Sequence, residues 1–298
     1  MKRILTYLGG ILLCLVCIPA TIVLFGGHHK KEVVQAMSTQ TVAQDEEKLL
    51  LEQEMIGILA KEVPVYYHYE AVRANAVILR TYMKNQADGK GESQFEALTI
   101  NQMRDLWKED YEEVYELYRL ALYDTTNEIL QYDGEIIEPV YHRESGGYTR
   151  DAVDVYGVDV PYLKAVESPC DVQVQVVSYS KEQIVQMLES IYPNSILDVN
   201  YIAQQIQIVQ KDKSGHIQQI QFGSIILNEE EFMEIFGLNS SNITLDIQDK
   251  KINFLVNGSG HGLGLSQNGA NEMAMAGATY RDILKHYFSG VDIVFFME

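Results

Sequence analysis

Three stretches of the chain hold residue types that could do chemistry. The first is Val63–Tyr82, VPVYYHYEAVRANAVILRTY, which sets Glu70 at the head of an amphipathic helix. A carboxylate there is stabilised as an anion by the free N–H groups of the first turn. Arg73, three residues on, is in reach as an ion partner, a pairing worth roughly 0.2–0.5 kcal/mol. Helix-initial glutamates are common on surfaces, so spacing alone assigns Glu70 no reaction. The second stretch is HRESGGYTR at 142–150, where Ser145, Gly146 and Gly147 make a turn. Such a turn permits positive φ and brings a ligand close to main-chain N–H groups, although it also serves as a plain connection. The third is GSGHGLGLSQNGAN at 258–271, with glycine at 258, 260, 262 and 264 and His261 among them. The spacing fits neither a dinucleotide fingerprint nor a Walker loop. A glycine-rich entry to a helix N-terminus still makes a site for a polar group. These three stretches are expected to meet in one cleft around Glu70.

Other chemistry finds little support. His142, His261 and His286 stand apart in sequence, without an HExxH pattern, so no metal and no cofactor is expected. Ser178–Lys181 fits S-x-x-K but bridges a strand and a helix and lacks the companion motifs. Cys14 and Cys17 lie in the first apolar run, and Cys170 is the only cysteine outside it. A disulfide within the folded domain is therefore impossible.

The elements that must position these stretches follow from the pattern. Residues 1–3 precede a nearly uncharged run at 4–27, long enough to span a bilayer and flanked by Lys2, Arg3, Lys30 and Lys31. It reads as an uncleaved single-pass anchor in the cell membrane, with the bulk of the chain outside the cytoplasm. Residues 28–45 read as a linker and 46–298 as the extracytoplasmic domain. A helix from Glu46 ends near Val63-Pro64, where proline disfavours continuation. The helix after His68 carries a core stripe of Val72, Ala76, Leu79 and Met83, with Glu70, Arg73 and Arg80 on its other face. Helices are expected over 99–106 and 111–123, then a hairpin turning at Asp133-Gly134 that delivers His142. Downstream, strands at 172–179, 201–209, 216–222, 243–247 and 252–256 alternate with helices at 181–188 and 228–236. The latter has an Asn cap at 228 and a glycine stop at 237. Helices at 266–276 and 280–287 and a strand at 291–296 close the chain. The fold class is α+β: a transmembrane helix, then a mixed helix and antiparallel-sheet domain with two lobes around a groove.

Composition bounds the partners. Of 298 residues, 23 are Lys or Arg and 42 are Asp or Glu, for a net charge of −19, so nucleic acid is not an expected partner. With 47% hydrophobic and 22% charged residues, most of the chain reads as globular. Tyrosine, at 19 residues against 9 Phe and 1 Trp, suits both ordinary core positions and surfaces that stack on sugars.

The same stretches resemble the stage II sporulation protein D family. EAVRANAVILRTY at 70–82 is similar to that family's EALKAQAVAARTY helix. ILQYDGEIIEPVYHRESGGYT and VYGVDVPYLKAVESPCD resemble its SGG-T and VWG-PYL segments. GHGLGLSQNGANEMAMAG with YRDILKHYFSG resembles its GHGVGMSQYGA region and ending. The matches keep the family's order and span most of residues 50–298. The resemblance implies a membrane-anchored lytic transglycosylase that cleaves peptidoglycan glycan strands free of stem peptides during endospore engulfment. It puts Glu70 at the catalytic glutamate, as general acid and then base. Arg73, Ser145, Gly146, Tyr148, His261, Ser266 and Gln267 are the candidates for lining the glycan groove. To hold a proton near neutral pH, Glu70 would need apolar walls, for which Tyr66 and Tyr67 are candidates. Implied partners are the glycan strands, the membrane, a cell-wall amidase and other engulfment proteins. The chain departs from the family pattern at Arg73 (Lys), Asn75 (Gln), Tyr156 (Trp) and Arg150 (Glu). The alternative reading is a noncatalytic wall-binding module that stimulates a partner amidase.

Overall fold

The computed structural model describes residues 49–89, 95–168 and 174–296. The chain divides into two units, residues 1–55 and 56–298. In the first, residues 49–55 are described and are helical. The expected anchor at 4–27, residues 1–3, the linker at 28–45 and Cys170 all lie outside the described residues. Among the described residues no helix is long and apolar enough to cross a membrane.

The second unit is α+β. After helical residues 56–62 come α1 (Tyr69–Ala87), α2 (Ile100–Trp107), a short 3-10 turn (Lys108–Asp110) and α3 (Tyr111–Asp124). Then follow β1 (Glu128–Tyr132), β2 (Glu135–Ile136), β3 (Tyr141–His142) and α4 (Ala152–Tyr156). The middle holds β4 (Gln175–Ser180), α5 (Lys181–Ile191), α6 (Ile202–Gln205), β5 (Ile206–Lys211), β6 (Ile217–Phe222) and β7 (Ile225–Asn228). It continues with α7 (Glu229–Phe236), β8 (Ile243–Ile247) and β9 (Lys251–Val256). Last come β10 (Leu265–Ser266), α8 (Gln267–Met275), α9 (Tyr280–Tyr287) and β11 (Asp292–Phe295).

Helix α1 is the centre of the site-bearing part. It buries Val72, Ala76 and Leu79 of the expected stripe, but also Ala71, Ala74, Val77 and Ile78, so it is apolar on nearly every side. A helix buried all round is a core helix, and α1 packs against α3, β1, α8 and α9. Burial of Val72, Val77, Ile78 and Leu79 contributes about 1.5–3 kcal/mol each. Arg80, expected on the polar face, is instead a structural cap. Its guanidinium donates to the carbonyls of Leu122 (2.9 Å) and Thr125 (2.6 Å) at the end of α3. Those carbonyls have no partner within the helix, and burial pushes Arg80 down to about 10.

The Asp133-Gly134 turn takes the expected form, with φ of 51° and 81°. These are the left-handed values that a two-residue hairpin turn requires. Strand β11 pairs antiparallel with β1, giving the order β11-β1-β2.

Between the two candidate segments, the stretch from β4 to β9 builds a core of its own. Sheets β4-β9-β8 and β5-β6-β7 enclose Ile184, Leu188, Ile220, Phe222, Phe232, Phe236 and Phe254. Helix α7 starts at the expected Asn228, in a capping box with Glu231, and stops at Gly237 in the left-handed conformation. Three elements depart from expectation. Strand β7 buries Ile225 and Leu227 while Ile226 faces outward, and its four residues are too few to show a period. Residues 202–205 form a helical turn, so the strand expected from Tyr201 starts at Ile206. Helix α4 is a single short turn set by Asp151 as cap and Gly157 as stop.

Candidate active site

Segments 141–150 and 259–266 lie side by side. Strands β3 and β10 pair in parallel, a departure from the expected antiparallel pairs. Bridges Glu144↔Ser259 and Arg150↔Leu263 extend the contact. The alternating glycines explain how two chains come so close. All four have positive φ. A Cβ on Gly264 would stand 2.0 Å from the Val140 carbonyl oxygen, which no L side chain tolerates. The glycine pattern is thus a packing device between two segments, where the sequence had suggested a pocket at a helix entry.

The start of α8 ties the α1 lead-in to this pair. Asn271 Oδ1 accepts from the His68 N–H at 2.7 Å, and Asn268 Oδ1 accepts from the Tyr67 hydroxyl. Asn268 in turn donates its N–H to the Arg143 carbonyl (3.0 Å) and its amide to Glu144 (3.4 Å). The three candidate segments therefore do meet. Tyr67, expected as a wall for Glu70, instead holds the junction with Asn268 and Asn271, two asparagines that no local pattern singles out.

Glu70 sits in the first turn of α1, its N–H directed to His68 Nδ1 at 3.3 Å. One carboxylate oxygen accepts from Arg73 Nη1 at 2.9 Å, and the other from the Tyr280 N–H, the first of α9, at 2.7 Å. The carboxylate thus lies at the N-termini of two helices, both favouring negative charge. The Arg73 guanidinium lies 4.2 Å over the Tyr280 ring and 5.8 Å from that of Tyr69. The side chains of Glu70 and Arg73 are each 21% exposed, a pair reachable from solvent. Tyr280 is fixed by its hydroxyl on the buried Glu128 (2.9 Å), which also pairs with Arg281. The ring beside the ion pair is that of Tyr280, not the expected Tyr66, which is 73% exposed, or Tyr67, which is committed to Asn268.

The other candidates divide by burial. Tyr148 and His261 are exposed; His261 Nδ1 accepts from the Leu263 N–H at 3.1 Å. Gly146 packs against the Asn257–Gly258 backbone. Ser145 is buried, and its hydroxyl has no partner among the described residues. Ser266 and Gln267 are framework. Ser266 caps α8 from a fully buried position, and Gln267 donates to the Glu62 carbonyl (3.2 Å) and Asn75 (3.3 Å). Their polarity suggested a ligand, but it is consumed by the interior.

Arg150 does what no local pattern announced. Fully buried, it donates Nε to Asp212 at 2.6 Å and a two-pronged pair to Glu229 at 2.7 and 2.9 Å. Asp212 lies just after β5 and Glu229 begins α7, so the glycine-turn segment is bolted to the β4–β9 stretch. Ser241 donates to Glu229 at 2.6 Å, and its oxygen meets His216 Nδ1 at 2.9 Å. His142 Nδ1 meets the Leu263 carbonyl at 3.0 Å. Among the described residues, no group of three metal-ligating side chains converges.

Burial, reinforced by the neighbouring His261, pushes His142 down to about 3. Burial and then Arg150 push His216 to about 4. Both rings are neutral when folded and must charge on unfolding in acid. A folded value below the unfolded one gives stability that is full above about pH 6.5 and lost as pH falls. Each ring should cost about 1.4 kcal/mol per pH unit below that point. Urea midpoints measured from about pH 7.5 to about pH 5 should therefore fall steadily, above the range where most carboxylates titrate. A level midpoint over that range would contradict two neutral buried rings.

The sequence is similar to known proteins over most of its length. A family model described as "SpoIID: Stage II sporulation protein" matches residues 39–132. The Stage II sporulation protein D of Bacillus amyloliquefaciens is 28% identical over 83% of this chain and 75% of its own length. That of Bacillus subtilis (strain 168) is 28% identical over 85% of this chain and 77% of its length. A protein named Amidase enhancer, also from Bacillus subtilis, is 23% identical over 80% of this chain but 40% of its own length. The family match and these two relatives, each covered over about three quarters of its own length, make the chain similar to stage II sporulation protein D.

Proposed function

We propose that this protein is a lytic transglycosylase that cleaves stem-peptide-free glycan strands of peptidoglycan during endospore engulfment. In this reading residues 4–27 anchor it in the cell membrane and the folded unit works outside the cytoplasm. The observation that carries the reading is Glu70, a partly exposed carboxylate in the first turn of α1, held between Arg73 and the start of α9. Its carboxyl protonates the oxygen between N-acetylmuramic acid and N-acetylglucosamine as the C1–O bond breaks. The C6 hydroxyl of the muramyl sugar then attacks C1 and returns its proton to Glu70, leaving a 1,6-anhydro end. No water is consumed, so one carboxyl group suffices where glycoside hydrolysis uses two. Exposed Tyr148 and His261 are the candidate glycan contacts, with Gly146 and Ser145 shaping the turn behind them.

The test is product analysis. The full chain incubated with peptide-free strands should give 1,6-anhydro-muramyl ends by mass spectrometry; reducing ends or uncut strands reject the reading. The relative named Amidase enhancer favours a second reading, a noncatalytic module that binds the wall and stimulates an amidase. Uncut strands together with acceleration of a purified cell-wall amidase would establish it.

A further inference from the structure

We infer that Arg73 is the specificity-determining residue of the proposed site, recognising the free lactyl carboxylate of a muramyl residue that carries no stem peptide. The inference rests on the glycan-cleaving reading and adds the group by which the substrate is told apart. Muramic acid differs from glucosamine by its lactyl ether, whose carboxylate is free only when no peptide is attached. That carboxylate belongs to the same sugar whose C1–O bond would break at Glu70, so its receptor must lie beside Glu70.

Arg73 meets that description. It is bound to Glu70 through Nη1 alone, while its Nε is buried with no partner among the described residues. A guanidinium presents five N–H donors in a planar fork that matches a carboxylate, and 21% of this side chain is open to solvent. Stacking on Tyr280 at 4.2 Å fixes the plane of that fork. Of the other arginines on α1 and α9, Arg281 is committed to the buried Glu128 and Arg80 to the carbonyls that end α3. The net charge of −19 also disfavours a carboxylate-bearing strand at large, which makes a local cation necessary for its approach.

Two strand preparations test this: peptide-free glycan with its lactyl carboxylates intact, and the same strands converted to methyl amides. The full chain should cleave the free-acid strands about 10-fold faster or more, the size expected of a hydrogen bond to a charged group. Arg73→Gln should remove that preference, and Arg73→Lys, which keeps the charge but not the fork, should retain only part of it. Thermal melts of the variants check that folding is preserved. Equal cleavage of both preparations by the wild type, or a preference that survives Arg73→Gln, overturns the inference. Binding of both preparations to the full chain is measured in parallel and does not depend on catalysis. If no anhydro ends form at all, the enzyme reading falls. The Arg73 assignment then stands or falls on whether Arg73→Gln abolishes preferential binding of the free-acid strands.

Discussion

Glu70→Gln is expected to lower the rate of anhydro-end formation by about 10²–10⁴-fold while leaving the fold intact. The amide keeps the size of the carboxyl and one acceptor oxygen, enough to hold the Tyr280 N–H now bonded at 2.7 Å. It cannot also satisfy Arg73 Nη1 with its nitrogen, because both groups are donors. The lost pair joins two side chains that are each 21% exposed, so its removal should cost about 1 kcal/mol or less. A melting temperature close to wild type with activity gone would separate chemistry from stability. Glu70→Asp sharpens the test. It keeps an acid but withdraws it by one methylene from both Tyr280 and the sugar, so activity should remain far below wild type. Full activity in Glu70→Gln would remove Glu70 from the mechanism and assign the cleavage to another group.

What the sequence made legible was what neighbours along the chain decide. The helix carrying Glu70, the Asp133-Gly134 turn and the capping box at Asn228 follow from residues a few positions apart. The glycines at 258–264 were legible as unusual, but not as the means by which one segment packs against another more than 100 residues earlier. The second helix on Glu70 was hidden for the same reason: the Tyr280 N–H is 210 residues away. Burial of polar groups was the hardest feature to read. Ser266 and Gln267 look in sequence like groove residues, and only the packed interior around Asn75 and Glu62 shows them to be framework. Arg150 stood out only as a departure from the family pattern. Its partners Asp212 and Glu229 lie 62 and 79 residues on, within the β4–β9 stretch, and no local spacing links them.

Arg150→Ala should destabilise the protein by about 3–5 kcal/mol, the cost of breaking a buried ion network from one side. The side chains of Arg150 and Asp212 are 1% and 0% exposed, so water cannot replace the lost partner. Asp212 would keep the N–H groups of Ser214 (3.0 Å) and His216 (2.9 Å) on its other oxygen, and Glu229 the hydroxyl of Ser241 (2.6 Å). Those neutral donors offset part, not all, of the negative charge on buried Asp212 and on Glu229, whose side chain is 26% exposed. Neutralising the acids as well should recover stability. Arg150→Met combined with Asp212→Asn and Glu229→Gln is expected to be clearly more stable than Arg150→Met alone, because isolated buried charge is the main penalty. Arg150→Lys should lie between, since an ammonium group cannot form the two-pronged contact with Glu229. Urea unfolding of the four proteins gives the comparison. Arg150 also reaches the His261 carbonyl at 3.3 Å and donates its own N–H to Gly262 at 2.8 Å, so it fixes the glycine-rich segment against the 142–150 turn. If the network serves only stability, the neutral triple variant should regain glycan cleavage along with its melting temperature. A variant that refolds to wild-type stability yet stays inactive would show instead that the charged fork sets the position of His261 and the turn.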